Sequence, residues 1–113
     1  MSEKTQNPQS DWLVFDPEEL LARVEGEEAR YYEFLKVPSL SVGVYRLPAG
    51  SRDMQAPHLE DEVYHVIEGK ARLRVGDRTY DIKPGSVLFV RATMEHSFFD
   101  IEEDLVVLAF FGK

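Results

Sequence analysis

His58-Leu59-Glu60-Asp61-Glu62, followed by Tyr64, Val66 and Gly69, is the stretch whose reading decides the fold of this chain. A histidine at the end of one strand and a carboxylate near the start of the next face each other when short strands curl around a common interior. The sequence on either side supplies such strands. Leu40, Val42 and Val44 alternate with Ser41 and Gly43, and Ala71, Leu73 and Val75 alternate with Lys70, Arg72 and Arg74, the period of two expected where one face is buried. Pro48-Ala49-Gly50, Glu68-Gly69-Lys70, Gly76-Asp77 and Lys83-Pro84-Gly85 punctuate the apolar stretches with turn-forming residues. Val87 to Val90 and Leu105 to Phe111 are apolar at nearly every position, as in strands covered on both faces. Short strands with frequent turns predict an all-β sandwich or barrel.

With 113 residues, 43% of them hydrophobic and 30% charged, the chain has the size of one folded domain. The polar start, Met1 to Ser10, reads as a flexible tail, and residues 11–113 as a single barrel domain. One short N-terminal helix is signalled by Asp16 as N-cap, Pro17 in the first turn and Glu19 three residues after the cap. Its apolar residues Leu20, Leu21 and Val24 are expected to cover an open end of the barrel, with the helix ending near Gly26. The absence of cysteine removes disulfides, thiolate metal sites and thiol nucleophiles. A net charge of −8 and a pI near 4.8 argue against nucleic acid as a partner. No apolar run reaches the roughly 18 to 20 residues of a membrane span, and no export signal is visible, so a cytoplasmic location without membrane attachment is expected. The aromatic segment Tyr31-Tyr32-Glu33-Phe34 and the run Leu105 to Phe111 carry more apolar surface than a small barrel hides easily, which predicts a homodimer.

The chain has three histidines, His58, His65 and His96. His58 and His96 with Glu62 make two imidazoles and one carboxylate, the donor set of an open site for a divalent transition metal. His65 stands at odd spacing from Glu62 and is expected to face outward.

These residues resemble the cupins, specifically the small single-domain cupins of the conserved-barrel type. The first family motif reads G-x5-H-x-H-x3-E-x6-G, and Gly50, His58, Glu62 and Gly69 stand at the matching spacing, with Ala56 where the first histidine would be. The second reads G-x5-P-x-G-x2-H-x3-N. Gly85 and His96 match it, while Arg91, Thr93 and Asp100 replace the proline, glycine and asparagine. The resemblance covers roughly Ser39 to Phe111 and implies a double-stranded β-helix, the jelly-roll barrel of cupins. It implies His58, Glu62 and His96 as ligands of iron, manganese, nickel, copper or zinc, with the fourth ligand missing at Ala56.

Strand parity places Met54, Ala56 and His58 on one face, so Gln55 reaches the site only if Pro57 introduces a bulge. Tyr64 and Val66 share the face of Glu62, and Met94 and Phe98 that of His96. Met54, Gln55, Tyr64, Met94 and Phe98 are therefore the candidate substrate pocket. Two functions fit. One is a metal-dependent enzyme of oxygenase, isomerase, lyase or decarboxylase type acting on a small polar organic molecule. The other is a non-catalytic small-molecule binder or sensor that has lost its metal.

Overall fold

The structure, a computed structural model, describes residues 11–53 and 57–113. The tail Met1 to Ser10 and the positions Met54, Gln55 and Ala56 lie outside the described residues. Among the described residues, helix α1 (Pro17–Ala22) precedes six strands: β1 (Arg30–Val37), β2 (Leu40–Leu47), β3 (Glu62–Val75), β4 (Arg78–Ile82), β5 (Val87–Val90) and β6 (His96–Gly112). All the pairings are antiparallel, in the order β1-β2-β6-β3-β4, with β5 pairing the first half of β3. The fold is the double-stranded β-helix that the resemblance to cupins implies.

Closure depends on the two long strands changing which parity faces inward. Along β3 the buried side chains are first Glu62, Tyr64 and Val66, then Ala71 and Leu73, and three register shifts against β6 between Val66 and Arg72 make the change. Gly69 sits within those shifts at φ 104°. A Cβ there would run into the Asp104 carbonyl and the Leu105 Cα, so only glycine fits. β6 makes its own change at Asp100, with φ 48°, between buried Phe98 and buried Ile101.

The interior core joins Tyr45, Leu47, Tyr64, Leu73, Phe98 and Leu105 with their neighbours. A second cluster, built on Tyr32, Phe34, Val42, Val44 and Val106, lies on the outer face of β1, β2 and β6. Phe15, Leu20, Leu21 and Val24 pack on it, with Phe15 edge-on to Phe34 at 4.7 Å. The N-terminal segment therefore covers this outer face, where the sequence reading had it cover an open end of the barrel. Its helix starts as expected, with the Asp16 carboxylate accepting from the Glu18 N–H at 3.3 Å, and it ends at Ala22, before Gly26. The same packing accounts for much of the apolar excess assigned to a dimer interface, because Tyr32, Phe34 and Val106 are buried within one chain. Among the described residues no helix is long and apolar enough to cross a membrane.

Candidate functional site

Glu62 is the first residue of β3, flanked by Val90 of β5 and Phe111 of β6. Its inward parity places a carboxylate with 2% exposure among apolar neighbours. Neither oxygen has a hydrogen-bond partner of good geometry, an arrangement costly for any buried polar group. The nearest cationic or polar nitrogen in an ion-pair contact is Nε2 of His96, 3.2 Å from Oε1.

His96 opens β6 and is oriented from behind. Its Nδ1 lies 2.8 Å from the Met94 carbonyl oxygen; a carbonyl only accepts, so Nδ1 carries the proton in that bond. Nε2 is left facing Glu62 and the Tyr64 hydroxyl, which is 3.1 Å away and donates to it in the neutral tautomer. The Glu62 carboxylate facing Nε2 at close range, and then the hydrogen bond to the Met94 carbonyl, raise the His96 pKa above its ordinary value, against burial, which lowers it. Tyr64 is fully buried, edge-on to Phe98 at 5.0 Å. Burial first, and the Glu62 charge second, push its phenol far above the usual range, so it keeps its proton.

The His58 ring lies beside this pair, with its centroid 6.3 Å from that of His96 and 4.6 Å from that of Phe111. Among the described residues no three of His, Asp and Glu are gathered tightly enough to enclose a metal ion. Ligand atoms each about 2.1 Å from a shared divalent ion stand roughly 3.0 to 3.4 Å apart, and the Glu62 to His96 ion-pair separation of 3.2 Å is compatible with that spacing. A buried, unsatisfied carboxylate facing an imidazole held from behind by a carbonyl fits a transition-metal site.

The other sequence candidates fall into place around that pair. Tyr64 and Phe98 stand in the interior core. Met94 gives its carbonyl to His96, while its side chain is 42% exposed and its methyl end lies near Gly76. Met54 and Gln55 lie outside the described residues. His65 is half-buried on the outer face, as its parity predicted.

The site also has contributors that the sequence reading passed over. The Asp53 carboxylate accepts from the Tyr45 hydroxyl and from the Phe98 N–H, each at 3.0 Å, pinning the start of β6 to the loop after β2. Tyr31 lies across Gly43, where any Cβ would meet its ring. The Tyr31 hydroxyl is pushed well above the usual phenol range by burial and by the charges of Glu33, Glu62 and Glu60. A cavity of about 320 Å³ opens here between Tyr31, Glu33, Glu60, His58 and Phe111, large enough for a small organic molecule. A second of about 220 Å³ touches His96 from the side of Arg74 and Glu95.

Fold and pattern together place the chain in a family: residues 43–111 match the cupin domain, and the protein belongs to the cupin family. An uncharacterized protein of Streptomyces coelicolor, SCO3923, is 43% identical over 99 residues, covering 88% of this chain and 94% of that one. A Klebsiella pneumoniae protein with a double-stranded β-helix domain superposes with a TM-score of 0.77 at 17% identity, over 90% of each chain. The DMSP lyase DddQ of Ruegeria pomeroyi superposes with a TM-score of 0.69 at 20% identity. The match covers 76% of this chain but 47% of the lyase, and identities this low speak for the fold alone.

Proposed function

We propose that this protein is a metal-binding cupin that acts on a small polar organic molecule, with Glu62, His96 and His58 as the metal ligands. The observation that carries the reading is the Glu62 carboxylate, 2% exposed and with neither oxygen in a hydrogen bond of good geometry, 3.2 Å from an imidazole nitrogen whose ring is fixed by the Met94 carbonyl. A sequence with no use for that carboxylate would gain by replacing it with an apolar residue. Iron, manganese, nickel, copper and zinc all suit these donors. Such an ion, when bound, acts as a Lewis acid toward substrate in the open coordination positions.

The chain's own residues do the rest. Glu62 and His96 present their donors from the two long strands. His58, whose ring stands against the edge of Phe111, would supply the third donor, and Tyr64, which keeps its proton, would donate to a substrate oxygen once Nε2 is committed to a metal. The cavity beside His58 receives the substrate, with Tyr31 and Phe111 as walls. Oxygenase, isomerase, lyase and decarboxylase chemistry all fit this arrangement.

A non-catalytic binder or sensor is the second reading, favoured by the polar groups already committed. Both Asp53 oxygens hold the scaffold, and the Tyr64 phenol resists deprotonation, which leaves neither as a ready general base.

The deciding experiment is elemental analysis of untagged protein beside the His96→Ala variant. Near-stoichiometric transition metal in the wild type and its loss in the variant is the expected result. Wild-type protein that stays metal-free after reconstitution would overturn the metal reading and favour the binder.

We also infer a homodimer, supported now by a different surface from the one first suggested. Val87 and Phe89 of β5 are 68% and 57% exposed and adjoin Val63 and His65 on the outer face, an apolar patch of the kind that protein interfaces use. Sedimentation at micromolar concentration should give twice the chain mass, and a monomer would refute it.

A further inference from the structure

The turn that leads into β6 is bound to the strand entry that carries the other two candidate ligands. Met94 N–H closes it onto the Arg91 carbonyl at 3.1 Å, with Thr93 at φ 67°, which makes Arg91 to Met94 a reverse turn with its third residue left-handed. Two successive N–H groups of this turn point across to the His58–Glu62 segment. Ala92 donates to the Asp61 carboxylate at 2.9 Å and Thr93 donates to the His58 carbonyl at 2.7 Å. Asp61 also accepts at its own carbonyl from Gly112 N–H at 3.0 Å, so it joins the start of β3, the turn and the end of β6. The last residue of the turn, Met94, supplies the carbonyl that holds the proton on His96 Nδ1.

We propose that this turn is a clamp that sets the spacing and tautomer of the metal-binding donors, with Asp61 as its positioning residue. The proposal rests on the metal reading above. Asp61 touches neither imidazole in any hydrogen bond described; it acts by fixing Ala92 and, through the turn, the Met94 carbonyl. Side chains that orient ligands from behind change metal affinity roughly 10- to 100-fold when lost. The acceptor oxygen, more than the charge, is what the geometry needs. Asn at position 61 keeps an oxygen where Ala92 N–H points, and Ala does not.

The test combines imidazole ¹⁵N–¹H correlation spectra with calorimetric titration of Zn²⁺ into wild type, Asp61→Ala and Asp61→Asn. Asp61→Ala should populate the other His96 tautomer and weaken Zn²⁺ binding about tenfold, and Asp61→Asn should restore both. An unchanged His96 tautomer in a folded Asp61→Ala variant would overturn the clamp. Wild type that takes no Zn²⁺ would sink the metal reading, while a tautomer shift in Asp61→Ala would still uphold the clamp. If Asp61→Ala fails to fold, hydrogen exchange of the wild-type Ala92 and Thr93 amides decides: strong protection supports the clamp and unprotected exchange refutes it.

Discussion

The two faces of the central strands obey different rules. On the outer face of β1, β2 and β6, Tyr32, Phe34, Val42, Val44 and Val106 meet Phe15, Leu20, Leu21 and Val24, an apolar cluster that needs nothing beyond packing. On the inner face, the entries of β3 and β6 bury a carboxylate with no hydrogen bond of good geometry against an imidazole, and β6 starts from a turn with threonine in a left-handed conformation. Departures of this kind from ordinary packing cost stability, and they concentrate where a chain binds or reacts. Both faces gain stability from packing, but the inner one gives part of it up at the entries of β3 and β6.

The contrast predicts opposite signs for two substitutions. Phe34→Ala removes a buried ring that packs edge-on against Phe15, and should cost about 3 to 4 kcal/mol in denaturant unfolding while leaving metal content per folded molecule unchanged. Glu62→Met keeps the length of the side chain and removes the buried charge. It should stabilise the metal-free protein by about 1 to 2 kcal/mol at pH 8 and abolish metal binding.

The gain from Glu62→Met has a pH dependence whose sign follows from His96. Glu62 raises the His96 pKa in the folded state, so the pair's contribution is fully present below the unfolded value, about 6.5, and is lost as pH rises through the folded one. The variant should therefore gain relative to wild type as pH increases from 6 to 9, and lose its advantage toward pH 6, where wild type forms the Glu62–His96 ion pair and the variant cannot. A variant less stable than wild type across that whole range would show that Glu62 is a structural group and would erase the contrast between the faces.

Much of the barrel was legible because burial imposes a period of two. The alternation in Leu40–Val44 and Ala71–Val75 marks β2 and the second half of β3, and the spacing of His58, Glu62 and His96 marks the strand entries. What stayed hidden were the contacts that no local pattern encodes. Asp53 and Asp61 hold backbone N–H groups 45 and 31 residues away, and an aspartate that will do so looks like any exposed one. Gly43 read as the polar partner in an alternation, when its role is to leave room for Tyr31 from the neighbouring strand. The N-terminal helix was visible from its cap, but its place was not, because an amphipathic helix is defined by its apolar stripe and not by the surface that receives it.

Two of the three positions where this chain departs from the second cupin motif, Thr93 for glycine and Asp100 for asparagine, have positive φ, 67° and 48°. Aspartate tolerates that region and a β-branched residue does not, so the departures are unequal although they look alike in sequence. Left-handed strain at Thr93 costs on the order of 1 to 3 kcal/mol, and glycine returns roughly 0.5 to 1 kcal/mol of it as extra freedom in the unfolded chain. Thr93→Gly should therefore raise stability by about 1 kcal/mol, and Asp100→Asn should stay within a few tenths, both read by thermal unfolding of the metal-free protein. Because glycine keeps the N–H that meets the His58 carbonyl, the stabilised variant should retain the His96 tautomer. Loss of the tautomer on Thr93→Gly would mean that the strain itself, and not the hydrogen bonds it accompanies, holds the site in register.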